Sequence, residues 1–271
     1  MNIGFMYTIE LLLPIYISTI LSLLSAVFLL ALYLKDNSII DIVYGPTFAL
    51  VAWVMIFYTN TKDIFPILIS VCITLWALRL GARLLKKNWR KPEDQRYATW
   101  RREWKKRGSF YFIVRSYIQI FLLQGLIISI IGLPIVISIV YTDYVHPVLF
   151  ILSMTIFVFG LMYESIADYQ LDSFLKQKKL GKNTSELMTT GLFTYSRRPN
   201  YFGEITIWVG LSISVISTPI WWLAIFSPLT IWYIITFITG PMLEKIFLDT
   251  YPEKYKKYME TTNYLLPGPQ K

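Results

Sequence analysis

This chain holds seven apolar stretches, and all but one run for about 20 residues or more, the length at which a helix spans the hydrocarbon core of a bilayer. They run Ile9–Leu34, Ile39–Thr59, Ile64–Leu85, Ser116–Tyr141, Val145–Ala167, Ile205–Thr218 and Ile220–Gly240. The sixth is short, and Pro219 parts it from the seventh, so the two read as a tight helical hairpin whose first arm is broken or tilted. The first is too long for a signal peptide and lacks a basic leader, since Met1–Glu10 holds no lysine or arginine. Composition agrees: 55% of the 271 residues are hydrophobic and 16% charged, where a soluble domain carries about 25% charged residues. The sequence thus predicts an all-α, polytopic membrane protein, a seven-transmembrane-helix bundle in one integral membrane domain over residues 1–271. Nucleic-acid binders, disulfide-stapled secreted scaffolds and ordinary cytosolic enzymes are excluded.

Scarce residues narrow the chemistry. Cys72 is the one cysteine and lies inside an apolar run; His146 is the one histidine and lies in a short connection. No metal site is expected, because neither a thiolate zinc site nor an HExxH pair can be built from one of each. Catalysis would fall to carboxylates, tyrosines, arginines or a bound cofactor.

Lysine and arginine distribution orients the chain. Basic residues crowd the segment after the third span (Lys86, Lys87, Arg90, Lys91, Arg96, Arg101, Arg102, Lys105, Lys106, Arg107), the segment after the fifth (Lys176, Lys178, Lys179, Lys182, Arg197, Arg198) and the tail (Lys254, Lys256, Lys257, Lys271). Seven spans put all three on one side, the cytoplasm, and the amino terminus outside. The interleaved Trp89, Tyr97, Trp100 and Trp104 suit an interfacial helix, and the cations suit anionic membrane lipids.

Ionisable groups inside a span are costly and normally face the bundle interior or a wet cavity. Asp41 opens the second span, where a helix amino terminus would favour it in any case; Tyr44 follows on the same face. Arg79 and Arg83 share a face of the third span with Trp76. Glu164 and Asp168 sit four apart at the cytoplasmic end of the fifth, and with Arg79, Arg83 and Arg96 they form a polar mouth. The most informative stretch is GLFTYSRRPNYFGE, Gly191 to Glu204. Pro199 suits a first helical position, so Arg197 and Arg198 precede a positive helix end that favours phosphate. Asn200 and Glu204 fall one turn apart and lead into the membrane beside Trp208. Glu244 adds a carboxylate at the end of the last span. No GxGxxG follows a strand, so a Rossmann module is not expected.

These residues resemble the steroid 5α-reductase superfamily, specifically its bacterial reductase-like branch. The match is strongest in GLFTYSRRPNYFGE and continues through Glu244–Pro252 to Leu266-Pro267; SIIDIVYG, LWALRL, EDQRYATWRREW and Glu164–Asp168 extend it over residues 35 to 268. Residues 168–268 carry the most specific, cofactor-binding part. The resemblance implies an NADPH-dependent reductase of the bacterial inner membrane, acting on the C=C bond of an apolar, lipid-like or steroid-like enone from a cytosol-facing cofactor cavity. It implies that Asn200, Tyr201 and Glu204 hold the nicotinamide side, with Tyr195 and Arg197 nearby. Glu164 and Asp168 would lie on the cofactor's path, Asp168 against the adenosine ribose; Arg79, Arg83 and Arg96 would meet phosphates, and Glu244 would close the site. Asp41 and Tyr44 would be the catalytic acid groups, because Ile40-Asp41 and Trp76 stand where steroid reductases place a glutamine–glutamate pair and a tyrosine, and tryptophan cannot protonate a carbonyl oxygen. Arg198 replaces a histidine found in many relatives.

Two other functions share these features. Prenylcysteine-type methyltransferases have a related element and would use S-adenosylmethionine, although the basic residues favour a phosphorylated dinucleotide. A lipid-binding or transport protein is the non-enzymatic reading, against which no inverted repeat is visible. The expected partners are an apolar substrate and membrane lipids, with no nucleic acid, and the expected state is a monomer.

Overall fold

A computed structural model describes residues 3–270, with side chains from residue 12 onward. Met1 and Asn2, which bear on the outward orientation, and Lys271 of the basic tail lie outside the described residues. Helices and their connections make up all of it, with no strand among the described residues. Six helical stretches are long and apolar enough to cross a membrane: Leu12–Leu34, Ile39–Thr59, Ile64–Asn88, Ser109–Ile131, Pro147–Lys179 and Trp221–Thr250. The chain is an integral membrane protein. Its contacts divide it into two compact units, Met1–Val145 with Thr218–Ile220, and His146–Ser217 with Trp221–Lys271.

The first unit opens with α1 (Ile3–Leu34), α2 (Ile39–Thr59) and α3 (Ile64–Asn88), followed by the amphipathic α4 (Gln95–Lys105). The next apolar stretch begins earlier than its sequence suggests. Helix α5 (Ser109–Ser116) passes through a π-helical stretch, Tyr117–Leu122, into α6 (Leu123–Ile131), and a break at Gly132 separates the short α7 (Leu133–Val140). Pro134 explains the break, since proline has no N–H to return to the preceding turn; the buried Tyr16 hydroxyl donates to the Ser129 carbonyl there at 2.9 Å. Trp76, Phe48, Ile20, Leu24, Met55 and Phe121 are fully buried in this unit. At one end, Glu93 ties two connections together. It accepts from the Asn37 backbone N–H at 2.7 Å and from Arg101 Nε and Nη2 at 2.8 Å. The carboxyl ends of α1 and α3 therefore meet at the same end of the unit.

The second unit contains α8 (Pro147–Lys179), α9 (Pro199–Ile213), a 3₁₀ turn at Trp221–Ile225, α10 (Phe226–Tyr233), a π-helical stretch at Ile234–Thr239, α11 (Gly240–Thr250) and α12 (Pro252–Thr261). At 1.5 Å per residue, the 33 residues of α8 extend for about 50 Å, so its last turns emerge from the hydrocarbon. The 15 residues of α9 cover only about 22 Å. It falls short of a span by itself, so the expectation of seven spans meets six stretches of spanning length among the described residues. Helix α9 starts at Pro199, the expected first position.

The antiparallel packing of α9 on α8 depends on small residues repeated every seven positions. Ser153, Gly160 and Ala167 on α8 and Gly203 and Gly210 on α9 are all buried. A Cβ on Gly203 would lie 2.7 Å from the Glu164 backbone nitrogen, and one on Gly160 would lie 2.8 Å from the Gly203 carbonyl. Such contact admits no side chain, so the seam fixes Glu164 against Gly203 and sets the next carboxylate, Asp168, one turn further toward the start of α9.

Candidate functional site

In the second unit, GLFTYSRRPNYFGE is shaped by a glycine and a strap. Gly191 has φ +64°, and any Cβ there would collide with Gln170, whose Oε1 accepts the Leu192 N–H at 2.9 Å. This turns the chain into the short 3₁₀ segment Gly191–Thr194, leaving α9 to begin at Pro199. The carboxyl-terminal segment then lies along residues 193–198. Arg197 N donates to the Asn263 carbonyl at 2.8 Å, Gly268 N to the Tyr195 carbonyl at 3.0 Å, Ser196 Oγ to the Leu265 carbonyl at 2.8 Å and the Tyr258 hydroxyl to the Phe193 carbonyl at 2.5 Å.

Arg197 is the centre of this strap. Its Nε and Nη2 donate to Glu244 Oε1 at 3.0 and 2.6 Å, and its Nη1 donates to the carbonyls of Thr262 and Met259 at 2.6 and 3.2 Å. Only 8% of the side chain is exposed. Arg197 and Glu244, both expected around a cofactor, are thus joined to each other, and Arg197 anchors α11 and the tail to the start of α9. Arg198 differs. It is half-buried, its guanidinium lies over the rings of Phe247 and Tyr201 at 5.3 and 5.9 Å, and its backbone N–H donates to Ser196 Oγ.

The remaining predicted residues of this unit fall on the same helix pair. Glu164 and Asp168 are each 4% exposed on α8, where the seam with α9 covers them. Asn200, Tyr201 and Glu204 occupy the first turns of α9 and are half-buried, whereas Tyr195 is an exposed side chain at the strap. A separate cleft of about 270 Å³ is walled by Gln170, Phe174 and Gln177 of α8 and by Met188; Glu164 and Asp168 are not among its walls. Burial pushes the strap phenols up, Tyr258 strongly and Tyr264 to about 12, and Tyr264 donates to the Ile235 carbonyl at 2.8 Å.

In the first unit, Asp41 is joined by two groups from α4. The Tyr97 hydroxyl donates to Oδ1 at 2.8 Å, and Arg96 Nη2 lies 3.3 Å from Oδ2. Arg96 also holds Asp94, the amino-terminal cap of α4, at 3.0 Å. Burial is the largest influence and works against both charges of that pair, but their hydrogen bonding and the neighbouring opposite charges together outweigh it, so the Arg96 pKa moves up and the Asp94 pKa moves down. Burial, followed by the Asp41 charge, raises the Tyr97 phenol. Tyr44, expected to present its phenol with Asp41, sets its ring edge-on against Phe48 and Trp76 at 5.2 and 6.3 Å. Arg79 and Arg83 are half-buried on the last turns of α3. Tyr97, which in sequence is one of several interfacial aromatics, brings a phenol to Asp41. Its place directly after Arg96, itself expected at the mouth, was the available signal.

Residues 27–262 match the family described as "Protein of unknown function (DUF1295)". No curated protein and no solved structure matches the chain.

Proposed function

The chain belongs to the DUF1295 family, and we propose that it is an NADPH-dependent reductase of the C=C bond in an apolar, lipid-like or steroid-like enone, similar to the steroid 5α-reductases. The observation that most supports this reading is the α8–α9 seam. Gly203 lets α9 approach the backbone of Glu164, which gathers two buried carboxylates, Glu164 and Asp168, with the turn that carries Asn200 and Glu204. This donor set fits a dinucleotide: carboxylates accept from ribose hydroxyls and a carboxamide NH₂, and the Asn200 amide both donates and accepts. A buried pair of carboxylates also attracts a sulfonium, which keeps S-adenosylmethionine as the second reading.

Bound NADPH supplies a hydride for the β-carbon of the enone. The chain's own groups would do the rest. Asn200, Tyr201 and Glu204 orient the nicotinamide end, Asp168 holds the ribose, and the arginines Arg79, Arg83 and Arg96 meet phosphate charge. Asp41 and Tyr44 stay in the proposal as the acid groups, polarising the carbonyl and delivering the proton. Tyr97 joins them as the hydroxyl bonded to Asp41.

The proposal includes seven crossings of a bacterial inner membrane, with the amino terminus outside and the basic segments inside. Two contacts support it: Glu93 holds residues 35–38 with α4, and Arg197 holds the tail at Thr262. The second demands an even number of crossings between those residues, which α9 with its following turns and Trp221–Thr250 together supply. The test is Asn200→Ala and Glu204→Ala in purified protein. Each is expected to weaken NADPH binding at least tenfold while the protein remains folded, and unchanged affinity would defeat the assignment.

A further inference from the structure

Two adjacent arginines precede α9, and the structure uses them in opposite ways. A guanidinium offers a side-on fork, Nε–H with Nη2–H, that matches two oxygens of a carboxylate or phosphate. The Arg197 fork is closed on Glu244, with Nη1 taken by two backbone carbonyls. The Arg198 fork is open: its Nε and Nη2 are buried, yet neither has a hydrogen-bond acceptor among the described residues. Its guanidinium carbon lies 5.9 Å from the ring centre of Tyr201 on α9 and 5.3 Å from that of Phe247 on α11.

Leaving charged donors buried without an acceptor is expensive, and the neighbouring rings compensate for it only in part, because a ring face attracts the cation without offering an acceptor oxygen to its N–H groups. The edge wants an anion with paired oxygens. No such group bonds it among the described residues, and the strap carboxylate Glu244 is held by Arg197.

We infer that Arg198, and not Arg197, is the anion-binding residue of the SRRPNY segment, and that its fork takes a phosphate group of a bound ligand. The inference extends the cofactor reading above, which supplies such a group in NADPH, but it rests on the fork and not on the reduction. Because both nitrogens are shut off from solvent, a ligand gains them only as the surrounding side chains shift, so binding is accompanied by a change around Arg198.

The experiment compares wild type with Arg198→Gln and Arg198→Lys in detergent, measuring binding of NADPH, NADH, inorganic pyrophosphate and S-adenosylmethionine by calorimetry, and apo thermal stability alongside. Arg198→Gln is expected to weaken the phosphate ligands about tenfold to hundredfold, with Arg198→Lys intermediate, because ammonium keeps the charge and loses the fork. Apo stability of Arg198→Gln is expected to equal or exceed that of wild type, whereas a purely structural arginine would lose it. Wild-type-like NADPH affinity in Arg198→Gln would overturn the role of Arg198 and leave the reductase reading standing. Pyrophosphate binding that depends on Arg198, without any NADPH response, would uphold Arg198 and remove the reductase reading. A destabilised apo Arg198→Gln with unaltered phosphate binding would make the residue structural and end the inference.

Discussion

At the scale of single residues, the start of α9 depends on charges that have found partners. Breaking a buried ion pair by removing one member costs about 3–5 kcal/mol, mostly because the other charge is stranded. Arg197→Met would strand Glu244, which is itself 19% exposed, and orphan the carbonyls of Thr262 and Met259. A loss near 3 kcal/mol in unfolding free energy is expected, and Arg197→Met with Glu244→Met should recover part of it. Equal stability of single and double variants would show that Glu244 is not what Arg197 balances. The family resemblance implies that Arg197 and Glu244 lie near a cofactor, and a basic residue before a helix and a carboxylate at a span's end agree with that expectation. Nothing local to either tells that they face each other across 47 positions. The same limit applies to Asp41: its neighbour in sequence, Tyr44, suggested a phenol, and its neighbour in space, Tyr97, supplies one.

At the scale of elements, the α8–α9 pair is fixed by absent side chains. Lipid gives helices no hydrophobic reason to associate, so close backbone approach through small residues carries much of the packing. Gly203→Ala tests this. Alanine favours the helix by about 1 kcal/mol, but its Cβ would press within 2.7 Å of the Glu164 backbone, which cannot rotate aside as a flexible side chain would. Overpacking costs about 1–3 kcal/mol, so a net loss of up to about 2 kcal/mol is expected in thermal or denaturant unfolding; a stabilised variant would mean that the helices are not in such contact. The length of the apolar runs reveals the helices, since a 20-residue apolar run has few alternatives in a membrane. It misses their ends. The fourth stretch begins at Ser109 and ends at Ile131, before the break that Pro134 explains, and α9 stops at Ile213 after 15 residues. Apolar residues continue past both breaks, so hydropathy alone does not register them.

At the scale of the whole molecule, the membrane class follows from composition and length, and six helices of spanning length bear it out. The division into two units does not follow from either, because no proline-, glycine- or serine-rich linker marks the boundary at Val145 and His146. The function proposed here stands on one unit's buried carboxylates and motif turn, together with the polar cluster on Asp41 in the other. Its most direct test is the thermal stability of the detergent-solubilised full chain titrated with NADPH and, in parallel, with S-adenosylmethionine. A ligand at a hundred times its dissociation constant stabilises a folded protein by about 2.7 kcal/mol, so NADPH is expected to raise the melting temperature progressively with concentration while S-adenosylmethionine leaves it unchanged. A melting temperature that NADPH does not move at millimolar concentration, or that only S-adenosylmethionine raises, would contradict the account.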